Sequence, residues 1–242
     1  MTRTLLMLTA HQLLGRRRAI MIALLALIPI VITLLYRLAG DTEGAYGFTV
    51  DMIGGFVFTL LLPIGALVFG TAALGSEVED GTIVYLLARP IARWRVVVAK
   101  AVVASFATIV LTVPATLITI LIALEGLGSD SLWLAAVVAT IVGSIVYSTL
   151  FVGLSTITGR ALIIGLVYVF VWEAFITNLF EGTRWVSVRE YVIGISDAIT
   201  TAPEVTAKLD GSEALIASLV VVVVALAVGV RFLQRFEIGE QA

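Results

Sequence analysis

Six long, predominantly apolar runs, at about 19–38, 52–75, 97–123, 132–157, 161–180 and 214–231, constrain this chain more than any other feature. Each approaches the ~20 residues that an α-helix needs to cross the hydrocarbon core of a bilayer. Inside lipid the backbone finds no water to bond, so it must satisfy its polar groups within helices. The composition agrees: 60% of the residues are hydrophobic and 13% charged, against about 45–50% and 25% in a soluble domain. The expected fold class is an all-α integral membrane protein with six transmembrane helices and a single transmembrane domain over residues 1–242.

The basic residues set the orientation. With both termini inside, eleven of them (Arg3, Arg16, Arg17, Arg18, Arg89, Arg93, Arg95, Lys100, Arg160, Arg231 and Arg235) face the cytoplasm. Four (Arg37, Arg184, Arg189 and Lys208) face outward, a split that obeys the positive-inside rule. The topology is therefore N-in, C-in. Thr2 to Arg18 places Leu6, Ala10, Leu13 and Leu14 at helical spacing, which predicts an interfacial helix leading into the first span. The external segment 181–213 contains a second amphipathic piece, Val186 to Ile199, with Val188, Tyr191, Val192, Ile195 and Ile199 on one face. It predicts a short external helix before span six. Pro29, Pro63 and Pro114 lie inside spans, where kinks are expected.

Several chemistries are excluded or disfavoured. There is no cysteine and one histidine, His11, so thiolate metal sites, disulfides and a histidine-based metal site are not expected. Gly65 to Thr71 lacks the lysine of a phosphate-binding loop. Gly153-Leu154-Ser155 lacks the closing glycine of a nucleophile elbow, because residue 157 is Ile157. The first apolar run is too long for a cleaved signal peptide. The net charge of −2 is divided between two sides of a membrane and points to no nucleic-acid partner.

The long polar break between spans two and three runs from Ser76 to Lys100. Ser76 and Glu79 have capping-box spacing, Gly81 interrupts, and Thr82 to Ala88 can form two turns with Ile83, Leu86 and Leu87 on one side. Pro90 ends that piece and suits the first turn of the next helix. The reading is a short helix, a break, and the start of a longer helix.

Glu77, Glu79, Gly81 and Thr82, followed by Leu86, Leu87, Arg89, Pro90, Arg93 and the trailing Lys100, resemble the first cytoplasmic loop of ABC-2 type permeases. The resemblance implies that these residues form a coupling helix that docks on a separate nucleotide-binding ATPase subunit. ATP and Mg would then be bound by that subunit, with no cofactor on this chain and no ATPase site of its own. It also implies a second permease copy or paralogue, since six spans are half of the usual set, and a place in a plasma membrane, prokaryotic and cytoplasmic. A looser similarity, through Tyr168–Glu173, Asn178 and Ser187–Tyr191, is to a type V exporter-like subgroup that includes the permease of nitrous oxide reductase maturation.

Glu173 is the one carboxylate well inside a span. A carboxylate in lipid is costly and must face a partner helix or a wet cavity. Glu173 and Asn178 are candidates for a substrate path or external gate. The favoured reading is structural: Glu173 hydrogen-bonds or caps the external helices, or pairs with Arg184 or Arg189. The leading expectation is an exporter of a lipid-like, drug-like or other amphipathic substrate. The rivals are a stand-alone channel or proton-coupled carrier using Glu173, and a non-transporting ATPase-coupled scaffold.

Overall fold

The computed structural model describes residues 16–40, 44–79, 92–127, 131–179, 181–201 and 204–235. Among these there are helices and no strands. Helix α1 is Arg16–Leu38. Helix α2 is one continuous run made of Ala45–Asp51, Met52–Leu61 and Leu62–Glu79. Helices α3 (Arg93–Leu124) and α4 (Leu132–Ile157) follow. Helix α5 joins Ala161–Val167, Tyr168–Ile176 and Thr177–Leu179. A 3₁₀ turn, Glu181–Val186, leads to the short α6, Val188–Asp197, and the chain returns through α7, Gly211–Arg235.

Five of these helices are long and apolar enough to cross a membrane, and α5 contributes a shorter apolar helix, Ala161–Ile176. The six expected runs thus all fall on helices. The interfacial helix expected before α1 lies almost wholly outside the described residues. Ser76 is placed differently from the expectation. It does not open a new helix, because α2 continues through it to Glu79. A capping residue needs non-helical backbone angles, and nothing between Gly75 and Glu79 breaks the coil.

Helix α4 is the hub: α2, α3, α5, α6 and α7 all pack on it. Tyr147 and Phe151 of α4 are fully buried, with Leu61, Leu62 and Leu67 of α2 in the same core. The outer faces of α1 and α7 expose Leu24, Leu35, Ile216, Leu219 and Val223, as helices facing lipid tails do.

Without a hydrophobic force between helices in lipid, close packing and buried polar contacts hold a bundle together. Helix α3 turns Thr108, Thr112, Thr116 and Thr119 inward, each hydroxyl donating to the carbonyl four residues back. Thr108 and Ser148 of α4 are 3.1 Å apart. Since the Thr108 proton goes to the Ala104 carbonyl at 2.9 Å, Ser148 is the donor between the helices. The Thr112–Ser144 pair is longer, 3.4 Å, and both protons are already directed to their own helices. It contributes little. A double-mutant cycle of Thr108→Val and Ser148→Ala should return a coupling near 0.6 kcal/mol, read by denaturant unfolding in detergent. The same cycle on Thr112 and Ser144 should return a value close to zero.

Two stretches of the bundle are wound wider than an α-helix, Met52–Leu61 in α2 and Tyr168–Ile176 in α5, and they pack against each other. Such π-type winding is rare and tends to mark functional sites. In α2 it precedes Pro63. A proline lacks the N–H that would bond back along the helix, and its ring crowds the carbonyl four residues earlier; the wider coil relieves that crowding. Side chains follow the changed register. The Thr59 hydroxyl donates to the Gly54 carbonyl five residues back, at 2.8 Å, where the threonines of α3 reach four.

Candidate functional site

The external amphipathic piece folds as expected on its apolar face. Val188, Tyr191, Val192 and Ile195 of α6 are buried, and Ile199 packs on the same core. This helix is set against α4 and α7, with Glu173 beneath its first turn.

Glu173 is fully buried and accepts four hydrogen bonds. Its Oε1 takes the Tyr168 hydroxyl at 2.6 Å and the Val188 backbone N–H at 2.9 Å. Its Oε2 takes the Ser187 hydroxyl at 2.6 Å and the Arg189 N–H at 3.3 Å. Ser187 is the N-cap of α6 and also accepts the Glu190 N–H at 3.3 Å. The first amides of a helix have no partner within it and form its positive end. One carboxylate from α5 thereby satisfies two amides of α6 and orients its cap.

The Tyr168 contact depends on the wide coil. Residues five apart in an α-helix point about 140° away from each other. In the π-wound stretch they come close enough for the 2.6 Å bond. The floor of the site is aromatic: Phe151 lies edge-on to Tyr168 and stacks against Tyr147. The Tyr147 hydroxyl is buried with no hydrogen-bond partner. The Tyr191 hydroxyl donates to the Trp185 carbonyl. Burial, and secondarily the Glu173 carboxyl, push its pKa up to about 12, so it remains a donor at neutral pH.

Beside this knot, α2 and α6 border an outer cleft of about 400 Å³, lined by Asp51, Gly54, Gly55, Arg189 and Glu204 among others. A Cβ at Gly54 or Gly55 would meet nothing within 4 Å, so this wall is open. Arg189 is only loosely paired. Its Nη1 is 4.0 Å from Glu190 Oε1, and its Nε is buried without a partner.

The structure thus brings Glu173 to the cap of α6. Glu173 meets Arg189 through its backbone amide rather than its guanidinium, while Arg184 donates to the Lys208 carbonyl at 3.3 Å. Asn178 lies in the last turn of α5, and its side chain falls outside the described residues, as do those of Glu77 and Glu79. Gly81, Thr82, Leu86, Leu87, Arg89 and Pro90 lie wholly outside them. Arg93 opens α3 and donates to the Leu233 carbonyl near the end of α7. Sequence reasoning missed the cleft and the cap of α6. The spacing Ser187-x-x-Glu190 was the available signal for that cap, being the Ser-x-x-Glu of a helix start.

No curated protein matches this sequence. The sequence model of the ABC-2 family transporter proteins matches residues 9–237. That interval covers the whole bundle, the polar break and both wide-wound stretches, so this multi-pass membrane chain belongs to the ABC-2 family of transporter proteins.

Proposed function

We propose that the chain is the transmembrane subunit of an ATP-binding cassette exporter for an amphipathic, lipid-like or drug-like substrate, driven by a separate ATPase docked on residues 76–95. ATP and Mg belong to that ATPase, and two permease chains, identical or paralogous, complete the transporter in a prokaryotic cytoplasmic membrane.

The observation that carries this reading is the continuity of α2. It runs unbroken from Ala45, past the cleft wall at Asp51, Gly54 and Gly55, to Glu79 at the edge of the polar break. Helix α3 resumes at Arg93 and packs on both α2 and α4. A force applied to the residues between them therefore acts on two helices gripped by one core. Packed elements of this kind move as rigid bodies rather than deforming continuously. At the far end, the Glu173 knot fixes α6 to α5 and serves as the external gate.

Glu79→Arg or Gly81→Pro should reduce ATPase co-purification from mild detergent, or ATP-driven transport, at least tenfold, with the permease still correctly inserted. A double variant that retains full transport would remove the docking role from this loop. A preparation that transports without any ATPase would favour the carrier reading.

A further inference from the structure

We propose that the groove between the start of α3 and the end of α7 binds one anionic phospholipid of the inner leaflet. Trp94, Val98, Leu226, Val230, Arg231 and Gln234 line this groove of about 540 Å³. It has two chemically distinct ends. Val98, Leu226 and Val230 give an aliphatic trough on two membrane-crossing helices. Leu226 lies five residues before Arg231, about 7.5 Å along the helix axis, so the trough extends toward the hydrocarbon. Arg231 and Gln234 lie exposed at the other end, beside Trp94, which is 53% exposed.

Among the described residues, the charged side chains at that end are basic. The Arg95 guanidinium sits 5.4 Å from the centre of the Trp94 ring, and the first turn of α3 carries no acidic residue. Arg93 ties the corner together through the Leu233 carbonyl. The positive-inside distribution puts this corner at the cytoplasmic surface. Basic pockets between helices on that side suit phosphate headgroups, and an interfacial tryptophan suits the headgroup level. The ATPase proposed to dock on residues 76–95 would cover Arg95 from the cytoplasmic side but would not occupy the trough, which runs along the two membrane-crossing helices. A phospholipid fills both ends, its phosphate on Arg231 at the groove's end with Arg95 nearby on the Trp94 ring, and an acyl chain along Val98 and Leu226.

The test is native mass spectrometry of the purified full-length chain, titrated with phosphatidylglycerol and with phosphatidylcholine of the same acyl chains. Phosphatidylglycerol should be retained preferentially. The paired change Arg95→Ala and Arg231→Ala should weaken it about thirtyfold, the loss expected for two surface basic residues, without affecting phosphatidylcholine. Val98→Trp, which fills the trough and leaves the arginines in place, should displace the lipid as well. Equal binding of the two lipids, or unchanged binding in both variants, would overturn the proposal. So would glycerol 3-phosphate competing as well as the intact lipid, which would make the corner a simple anion site. Lipid-independent dimers lost on Val98→Trp would show that a second copy occupies the groove. ATPase co-purification lost in the arginine pair with lipid retention intact would assign those arginines to the ATPase. Either result would also overturn the proposal.

Discussion

Replacing Glu173 with leucine should abolish transport and destabilise the outer half of the protein. The leucine leaves the buried amide of Val188 and the part-buried amide of Arg189 without an acceptor, and the hydroxyls of Tyr168 and Ser187 without theirs. The hydroxyls can rotate toward other acceptors; the amides cannot. An orphaned buried donor costs about 1–3 kcal/mol, which the Val188 amide alone accounts for, with a smaller addition from the part-buried Arg189 amide. Glu173→Gln is the sharper test. One oxygen survives, but its NH₂ must face either the Val188 or the Arg189 amide, donor against donor. The loss should be about half as large, with assembly on the ATPase preserved and transport still impaired. Thermal unfolding in detergent and ATP-driven transport in proteoliposomes, measured side by side, separate the two effects. A glutamine variant that transports at the wild-type rate removes Glu173 from the external gate.

The second large effect should come from Gly153→Leu. Helices α4 and α7 cross here with almost no clearance. A Cβ on Gly153 would stand 2.8 Å from the Ala225 carbonyl oxygen and 3.5 Å from the Ala225 Cβ. From the other side, a Cβ on Gly229 would come within 3.5 Å of the Gly153 Cα. Ala225 and Gly229, four apart on α7, form the small-residue pair that lets helices approach in a membrane. The obstructing atom is backbone, so no side-chain rotation makes room. Gly153→Ala should cost about 1–3 kcal/mol as overpacking. Gly153→Leu should exceed that and lift α7 from the bundle, with much reduced yield of folded protein. An unchanged melting temperature for the leucine variant would mean that α7 does not need this crossing.

The helices were largely legible because lipid imposes a simple length rule. Apolar runs of about 20 residues mark spans, and the ends of α4 fall at Leu132 and Ile157, where the run begins and ends. The face of α6 was legible from periodicity instead, since Val188, Tyr191, Val192 and Ile195 follow helical spacing. The wide winding was not legible, because an apolar run carries no record of whether its amides reach back four residues or five. Ser76 misled because capping-box spacing is also compatible with mid-helix positions, and only the local backbone decides. For Glu173, the cost of a carboxylate in lipid pointed to a polar partner. Which partner it met depended on how a chain segment 14 to 16 residues later folds back, a tertiary fact that no local pattern contains.

The two wide stretches also give the bundle a form of gearing. An α2 or α5 that changed from five-residue to four-residue bonding would have to screw about its own axis, turning one end of the helix relative to the other. Helix α2 ends at the polar break, and α5 carries the carboxylate that holds α6. Because the wide segments of the two helices lie against each other, a twist begun in one is resisted or followed by the other. If the rigid push on α2 proposed above reaches α5 through these packed segments, a return of α5 to four-residue bonding would withdraw Glu173 from Tyr168 and loosen the outer cap.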